Sequence, residues 1–190
     1  MKKHFWMTAG LTVGFAGAAF AHKGHEHASN IPTHVQWGLS GIKELINVHP
    51  LFVHFPIALL MGAIGFYFLG SIFKKEELFI AGKWSLFFGT LGAGVSVWTG
   101  LQAAETVYHD EEIHQMMMAH QYVGIALLVL SVVLSLWVII SKKTIPSARV
   151  LFLAGLLILS ALIAQAADMG GRMVYGKGVG IGMKSLMPQT

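Results

Sequence analysis

The sequence predicts an all-α integral membrane protein, a four-helix up-down bundle with a cleaved signal peptide and a short periplasmic interfacial helix. The first observation is composition, because 55% of the residues are hydrophobic, only 12% are charged and the mean hydropathy is +0.64. The second is a set of four apolar runs, at residues 51–73, 84–104, 116–140 and 150–167. Each run is near the ~20 residues that a helix needs to cross ~30 Å of hydrocarbon. The third is the distribution of basic residues between loops.

The amino-terminal residues 1–21 have the pattern of a secretory signal peptide. Two lysines precede an apolar stretch, and Ala19 and Ala21 stand just before His22 as a small-x-small cleavage site. Residues 22–48 are predicted to form a periplasmic His-rich tail and then an amphipathic helix on the membrane surface, since apolar residues recur at helical spacing from Val35. Residues 49–181 form the four-transmembrane-helix domain, and residues 182–190 form a periplasmic tail.

The loops predict the orientation. A cleaved signal leaves the mature amino terminus outside, and four spans return the carboxyl terminus to the same side. Six cations lie in or beside the two predicted inner loops, whereas the outer loop at residues 105–115 has no Lys or Arg; the six are Lys74, Lys75, Lys83, Lys142, Lys143 and Arg149. Because cytoplasmic loops carry the excess of Lys and Arg, the chain is predicted to lie in the bacterial inner membrane with both mature termini periplasmic.

Composition also excludes several function classes. The chain has no cysteine, which excludes thiolate metal sites, iron–sulfur clusters and covalent haem attachment. It contains neither a nucleophile motif nor a phosphate-binding glycine loop placed between strand and helix, so hydrolysis and phosphoryl transfer are not expected. Its net charge of +4 is dispersed, which argues against nucleic acid as a partner. We therefore do not predict a stand-alone enzyme.

Histidines point to the candidate site. All nine histidines of the predicted mature chain fall on the outer side or within about one turn of it, and ionisable groups at membrane depth are functional candidates. His54 and His120 are flanked by apolar sequence, on the first and third helices. Two neutral imidazoles facing each other across a bundle are the axial ligands that a b-type haem requires. The predicted cofactor-binding residues are this pair with His49 and Arg172.

Copper or zinc is the alternative to haem, since imidazole and thioether groups bind these ions. Candidate metal ligands are the outer histidines with one acid and one methionine: His54, His120, His49, Glu105, His109, His114 and Met118. With either centre, the expected function is electron transfer or service in a membrane redox complex, with the lipid bilayer and a periplasmic or membrane redox protein as partners. A copper-handling protein, and a structural subunit without a cofactor, remain alternatives; a homo-oligomer is also compatible with the sequence.

The second apolar run carries small residues on one face. Gly92, Ser96 and Gly100 are four residues apart, so another helix can approach this face closely. Helix packing is the favoured interpretation of this pattern. Space for a flat cofactor is the alternative.

Two motifs carry a family resemblance. The stretch HPLFVHFPIAL at residues 49–59 and the stretch GRMVYGKGVG at residues 171–180 resemble the bacterial four-span membrane family called domain of unknown function 2231. The resemblance covers roughly residues 49–181. It implies a four-helix membrane fold and names no established biochemistry, and only His49 and His54 are carried over from its first motif.

Overall fold

The structure is a computed structural model that describes residues 38, 47–107 and 110–180. It contains four long helices, α1 (His49–Phe73), α2 (Glu76–Thr106), α3 (Glu111–Ser141) and α4 (Arg149–Gly171), and a π-helical turn at Arg172–Gly176. No strand occurs in these described residues. All four helices are long and apolar enough to cross a membrane, which confirms the four predicted spans. The predicted signal peptide, interfacial helix and final tail lie outside the described residues.

Helices α2 and α3 begin before their apolar runs, because acidic residues stabilise their first turns. Helix α2 begins with Glu76 and Glu77, and α3 begins with Glu111 and Glu112. Carboxylates are stabilising in a first helical turn, where the helix dipole is positive. Asp110 caps α3 by accepting a hydrogen bond from the Ile113 backbone N–H at 2.9 Å.

The two prolines of the first motif differ in position. Pro50 lies in the first turn of α1, where its missing N–H costs nothing. Pro56 lies inside the helix, because α1 begins at His49. Pro56 is buried, and a Cβ built on Gly92 of α2 would lie 3.4 Å from it. Close packing against α2 therefore accompanies this interior proline.

The helices form an up-down bundle with short connections. Consecutive helices pack side by side, and α1 also packs against α4. Among the described helices, the diagonal pairs α1–α3 and α2–α4 make no close backbone contact. We call the end at which α1 and α3 begin the outer end, and the opposite end the inner end. The termini of all four helices meet at each end.

Glycines of α2 bring it close to α1. A Cβ on Gly89 would lie 2.8 Å from the Leu60 side chain and 3.1 Å from the Leu60 backbone nitrogen, and one on Gly82 would lie 3.0 Å from the Tyr67 ring. Gly92 meets Phe55 and Pro56 in the same way. The small-residue face of α2 is thus filled by α1, which supports its interpretation as a packing surface.

The interior is largely apolar, with a polar contact between α2 and α3. Leu60, Leu86, Leu134 and Phe152 are each at most 2% exposed and belong to one core cluster. Large apolar side chains cover the outside of every helix, as expected of surfaces that contact lipid. Between α2 and α3, the Thr90 hydroxyl lies 2.9 Å from the Ser135 hydroxyl. Such interhelical hydrogen bonds contribute about 0.6 kcal/mol in membrane bundles.

Candidate functional site

His49 begins α1 at the outer end and faces the bundle interior. Its backbone N–H donates to the Asn47 side-chain oxygen at 3.1 Å, which fixes the start of the helix. Its ring Nδ1 lies 3.2 Å from the Thr99 hydroxyl of α2. The ring also rests against the α2 backbone, because a Cβ on Gly100 would lie 3.1 Å from His49 Cε1. Glycine at position 100 therefore makes room for this imidazole.

His120 lies in the third turn of α3 and faces His49 across the bundle diagonal. The two ring centroids are 6.4 Å apart, with an interplanar angle of 84°. On its other side, His120 packs beside α4, since a Cβ on Gly170 would lie 3.7 Å from His120 Cε1. The histidine pair is thus the place where all four helices meet.

Hydrogen bonding indicates the tautomer of His49. The Thr99 hydroxyl donates to the Ser96 backbone carbonyl at 3.1 Å, so its oxygen is left to accept a hydrogen bond from His49 Nδ1–H. A neutral imidazole protonated at Nδ1 has a free lone pair on Nε2. Thr99 is 2% exposed, which shields this hydrogen bond from water. His49 Nε2 is therefore the ring nitrogen that the contact with Thr99 does not use.

In His120, the ring nitrogen that a ligand could use is Nδ1. Among the described residues, this buried nitrogen has no hydrogen-bond partner. In the neutral tautomer protonated at Nε2, the Nδ1 lone pair is free to bind a ligand. The Ser96 hydroxyl is likewise buried and without a partner in the part of the chain that the structure describes, and Ser96 is 9% exposed. We call His49, Ser96, Thr99 and His120 the outer polar cluster.

His54 lies elsewhere. It is exposed, and its Nδ1 is 2.9 Å from the Pro50 carbonyl of its own helix. The sequence predicts a pair of His54 and His120, whereas in the structure His49 lies beside His120. A five-residue separation turns two side chains about 140° apart on a helix, so His49 and His54 face different directions. Which histidines bind a ligand stays a prediction.

The other candidate ligands are dispersed around the outer end. Arg172 forms an ion pair with Asp168 one turn earlier, and both side chains are exposed. Glu105 and His114 are exposed, and Met118 is half-buried; His109 lies outside the described residues. Within the described ranges, no three His, Asp or Glu side chains are placed to hold one metal ion.

Ser96 and Thr99 are site residues that the sequence analysis did not predict as ligand neighbours. The sequence pattern indicates for Ser96 only the role of a small residue on the packing face of α2. The available signal was the i, i+3 spacing of two hydroxyl side chains in the outer part of an apolar helix, just before Gly100. Because Ser and Thr are common in membrane helices as packing residues, that spacing alone does not distinguish a site.

A segment beyond α4 spans the outer end; we call residues 172–180 the outer segment. The Lys177 ammonium donates to the Glu112 carboxylate of α3 at 2.7 Å, and this hydrogen bond and the carboxylate charge raise the pKa of Lys177. The Val179 N–H bonds the Met173 carbonyl at 3.0 Å, and a Cβ on Gly180 would lie 3.9 Å from the Asn47 side chain. The outer segment therefore runs from α4 past α3 to the start of α1.

A family model described as a predicted membrane protein, domain of unknown function 2231, matches residues 45–183. The chain belongs to this family. No curated protein and no solved structure matches it. In this DUF2231 chain, the two stretches that carry the resemblance meet at the outer end, where Gly180 approaches Asn47 next to His49.

Proposed function

We propose that the chain is a bacterial inner-membrane protein whose periplasmic end holds a redox-active metal centre between His49 and His120. The orientation is supported by the charge of the loops and by the signal-like amino terminus. Electron exchange with a periplasmic or membrane partner is the proposed role. The centre lies at the end of the bundle where such a partner has access.

One observation carries this proposal: two imidazoles from diagonal helices lie edge to face, His49 is oriented by its contact with the Thr99 hydroxyl, and the buried His120 Nδ1 has no partner among the described residues. Metal-binding histidines typically donate their second ring N–H to a carbonyl or another oxygen, which fixes the ring and its tautomer. A buried polar atom without a partner costs about 1–3 kcal/mol. A ligand bound between the rings removes that cost.

The separation of the rings fits a single ion. A metal ion ~2.0–2.1 Å from one nitrogen of each ring holds ring centroids about 6 Å apart, close to the observed 6.4 Å. Two protein ligands are fewer than the four of a structural zinc site. Imidazole also suits copper, and thioethers of Met116 and Met173 lie within about one helical turn of His120 and Gly170 in sequence. Copper is therefore the proposed ion.

A b-type haem is the second candidate, because it requires the same pair of axial imidazoles. The packing around the two histidines favours a single metal ion over a haem. His49 rests on the α2 backbone at Gly100, and His120 packs beside α4 at Gly170, so backbone closes two sides of the space that a flat macrocycle needs. The small-residue face of α2 that offered room for a cofactor is filled by α1 at Gly89 and Gly92.

Absorption spectra and metal analysis of the purified protein test this function. We expect about one copper ion per chain and no Soret band. His49→Ala and His120→Ala should each abolish binding, and the double variant should bind no worse than either, because one loss already dismantles a two-ligand site.

His54→Ala is the matched control, since it removes an exposed imidazole from the same helix, and it should keep the ion. A Soret band would show that the centre is haem and would contradict copper. Full occupancy in either His49→Ala or His120→Ala contradicts the pair. Absence of both metal and haem would contradict the proposed centre and would leave the outer polar cluster with a structural role.

A further inference from the structure

A surface cavity of about 510 Å³ lies at the inner end, far from the histidine pair. It is formed by the loop between α3 and α4 and by the start of α2. Three cations line it, Lys142, Lys143 and Arg149, and all three are exposed. Glu76 is the one carboxylate in its lining. The cavity therefore carries an excess of positive charge.

The loop that carries these cations is held in place. Ile145 and Pro146 are buried at the end of the bundle, so the middle of the loop is anchored by apolar contact. The Thr144 hydroxyl donates to the Glu76 carboxylate of α2 at 2.6 Å, and Lys143 Nζ donates to the Ser147 hydroxyl at 2.9 Å. The cations are thus presented from a fixed frame, with hydroxyl groups beside them.

Lipid-facing side chains adjoin the cavity. Ile140 is 74% exposed, Val150 83% and Leu151 64%, and they flank the loop at the end of α3 and the start of α4. The Arg149 guanidinium also lies 5.7 Å from the Phe79 ring centre. Cations above an apolar helix surface match the arrangement of an anionic phospholipid, with its phosphate above its acyl chains. Basic pockets between transmembrane helices bind such headgroups.

We propose that this cavity binds the headgroup of an anionic phospholipid, whose acyl chains lie along Ile140, Val150 and Leu151. Loop charge as a topology signal requires only cations near the membrane. It requires neither an anchored loop nor a cavity. The proposal does not depend on the ligand of the histidine pair or on the orientation of the chain.

The test measures binding of phosphatidylglycerol and of zwitterionic phosphatidylcholine to the purified full-length protein, by native mass spectrometry and by the shift in thermal unfolding. Phosphatidylglycerol should be retained and should raise the unfolding temperature, and phosphatidylcholine should do neither. The double variant Lys142→Gln/Lys143→Gln should lose roughly 30-fold in phosphatidylglycerol affinity, since each lysine near an anionic surface strengthens attraction about fivefold. Arg149 is kept because of its contact with Phe79.

Lys74→Gln/Lys75→Gln is the matched control, because it removes two charges from the other loop at the same end, outside the cavity lining. It should bind phosphatidylglycerol as the unaltered protein does. An equal loss in both double variants, or retention of phosphatidylcholine as tightly as phosphatidylglycerol, overturns the proposal. Displacement of the lipid by inorganic phosphate at equal concentration also overturns it, because the site then takes a free anion.

Discussion

His49 and His54 show how much a single position on a helix decides. Both are imidazoles near the start of α1, yet His49 contacts His120 and Thr99, whereas His54 is exposed and bonds its own helix. The sequence favoured His54 because apolar residues surround it. In a membrane helix, however, apolar neighbours face lipid as readily as protein, so that criterion does not separate the inward side from the outward side.

Gly89 is a residue at which α1 and α2 approach tightly. Gly89→Ala should destabilise the protein by about 1–3 kcal/mol, as expected of overpacking, because the new Cβ meets the Leu60 side chain at 2.8 Å and its backbone nitrogen at 3.1 Å. Denaturation in detergent micelles measures the change. Gly94→Ala on the same helix is the control, since its Cβ meets nothing within 4 Å. Equal stability of the two variants would contradict the close packing.

At the scale of elements, hydropathy predicted the number and order of the helices. The ends were predicted less well, because α2 and α3 begin with acidic residues that no apolar run includes. The rotation of each helix about its axis was not predictable. Its apolar side chains are distributed all around, and the inward face is distinguished only by small residues such as Gly89 and by specific polar contacts such as that of Thr99 with His49.

The outer segment is held to α3 by charge. Lys177→Glu should replace attraction to Glu112 by repulsion and release the segment, which hydrogen exchange at residues 177–180 would detect as faster exchange. The reversed pair Lys177→Glu/Glu112→Lys should restore slow exchange, because the two charges again attract. Unchanged exchange in Lys177→Glu would show that the ion pair at 2.7 Å does not hold the segment.

At the scale of the whole molecule, orientation is open to a direct test. A reporter that is active only in the periplasm should be active when fused after Thr190 or near Glu111, and silent when fused near Glu76 or Lys143. The expectation follows from the charge of the loops and from the even number of spans. An inactive reporter at Glu111 would overturn it.

The absence of histidine from much of the bundle limits what it can do alone. Between Met61 and Ser96, and again between Val123 and Gln165, the sequence has no histidine. We therefore expect at most one centre per chain. In sealed, oriented vesicles, a membrane-impermeant reductant should reduce that centre only from the periplasmic face. A stoichiometry near two, or reduction from the cytoplasmic face without a partner subunit, would contradict a one-sided site.

Because His49 and His120 come from helices that are not neighbours in the bundle, neither hairpin of the molecule contains the pair. The α1–α2 hairpin leaves the ribosome first and brings His49, Ser96 and Thr99. The α3–α4 hairpin brings His120 only after more of the chain has been synthesised. A nascent chain with two inserted spans therefore has only one of the two imidazoles of the proposed site. An ion held by the proposed pair would therefore have to be loaded after α3 has been inserted.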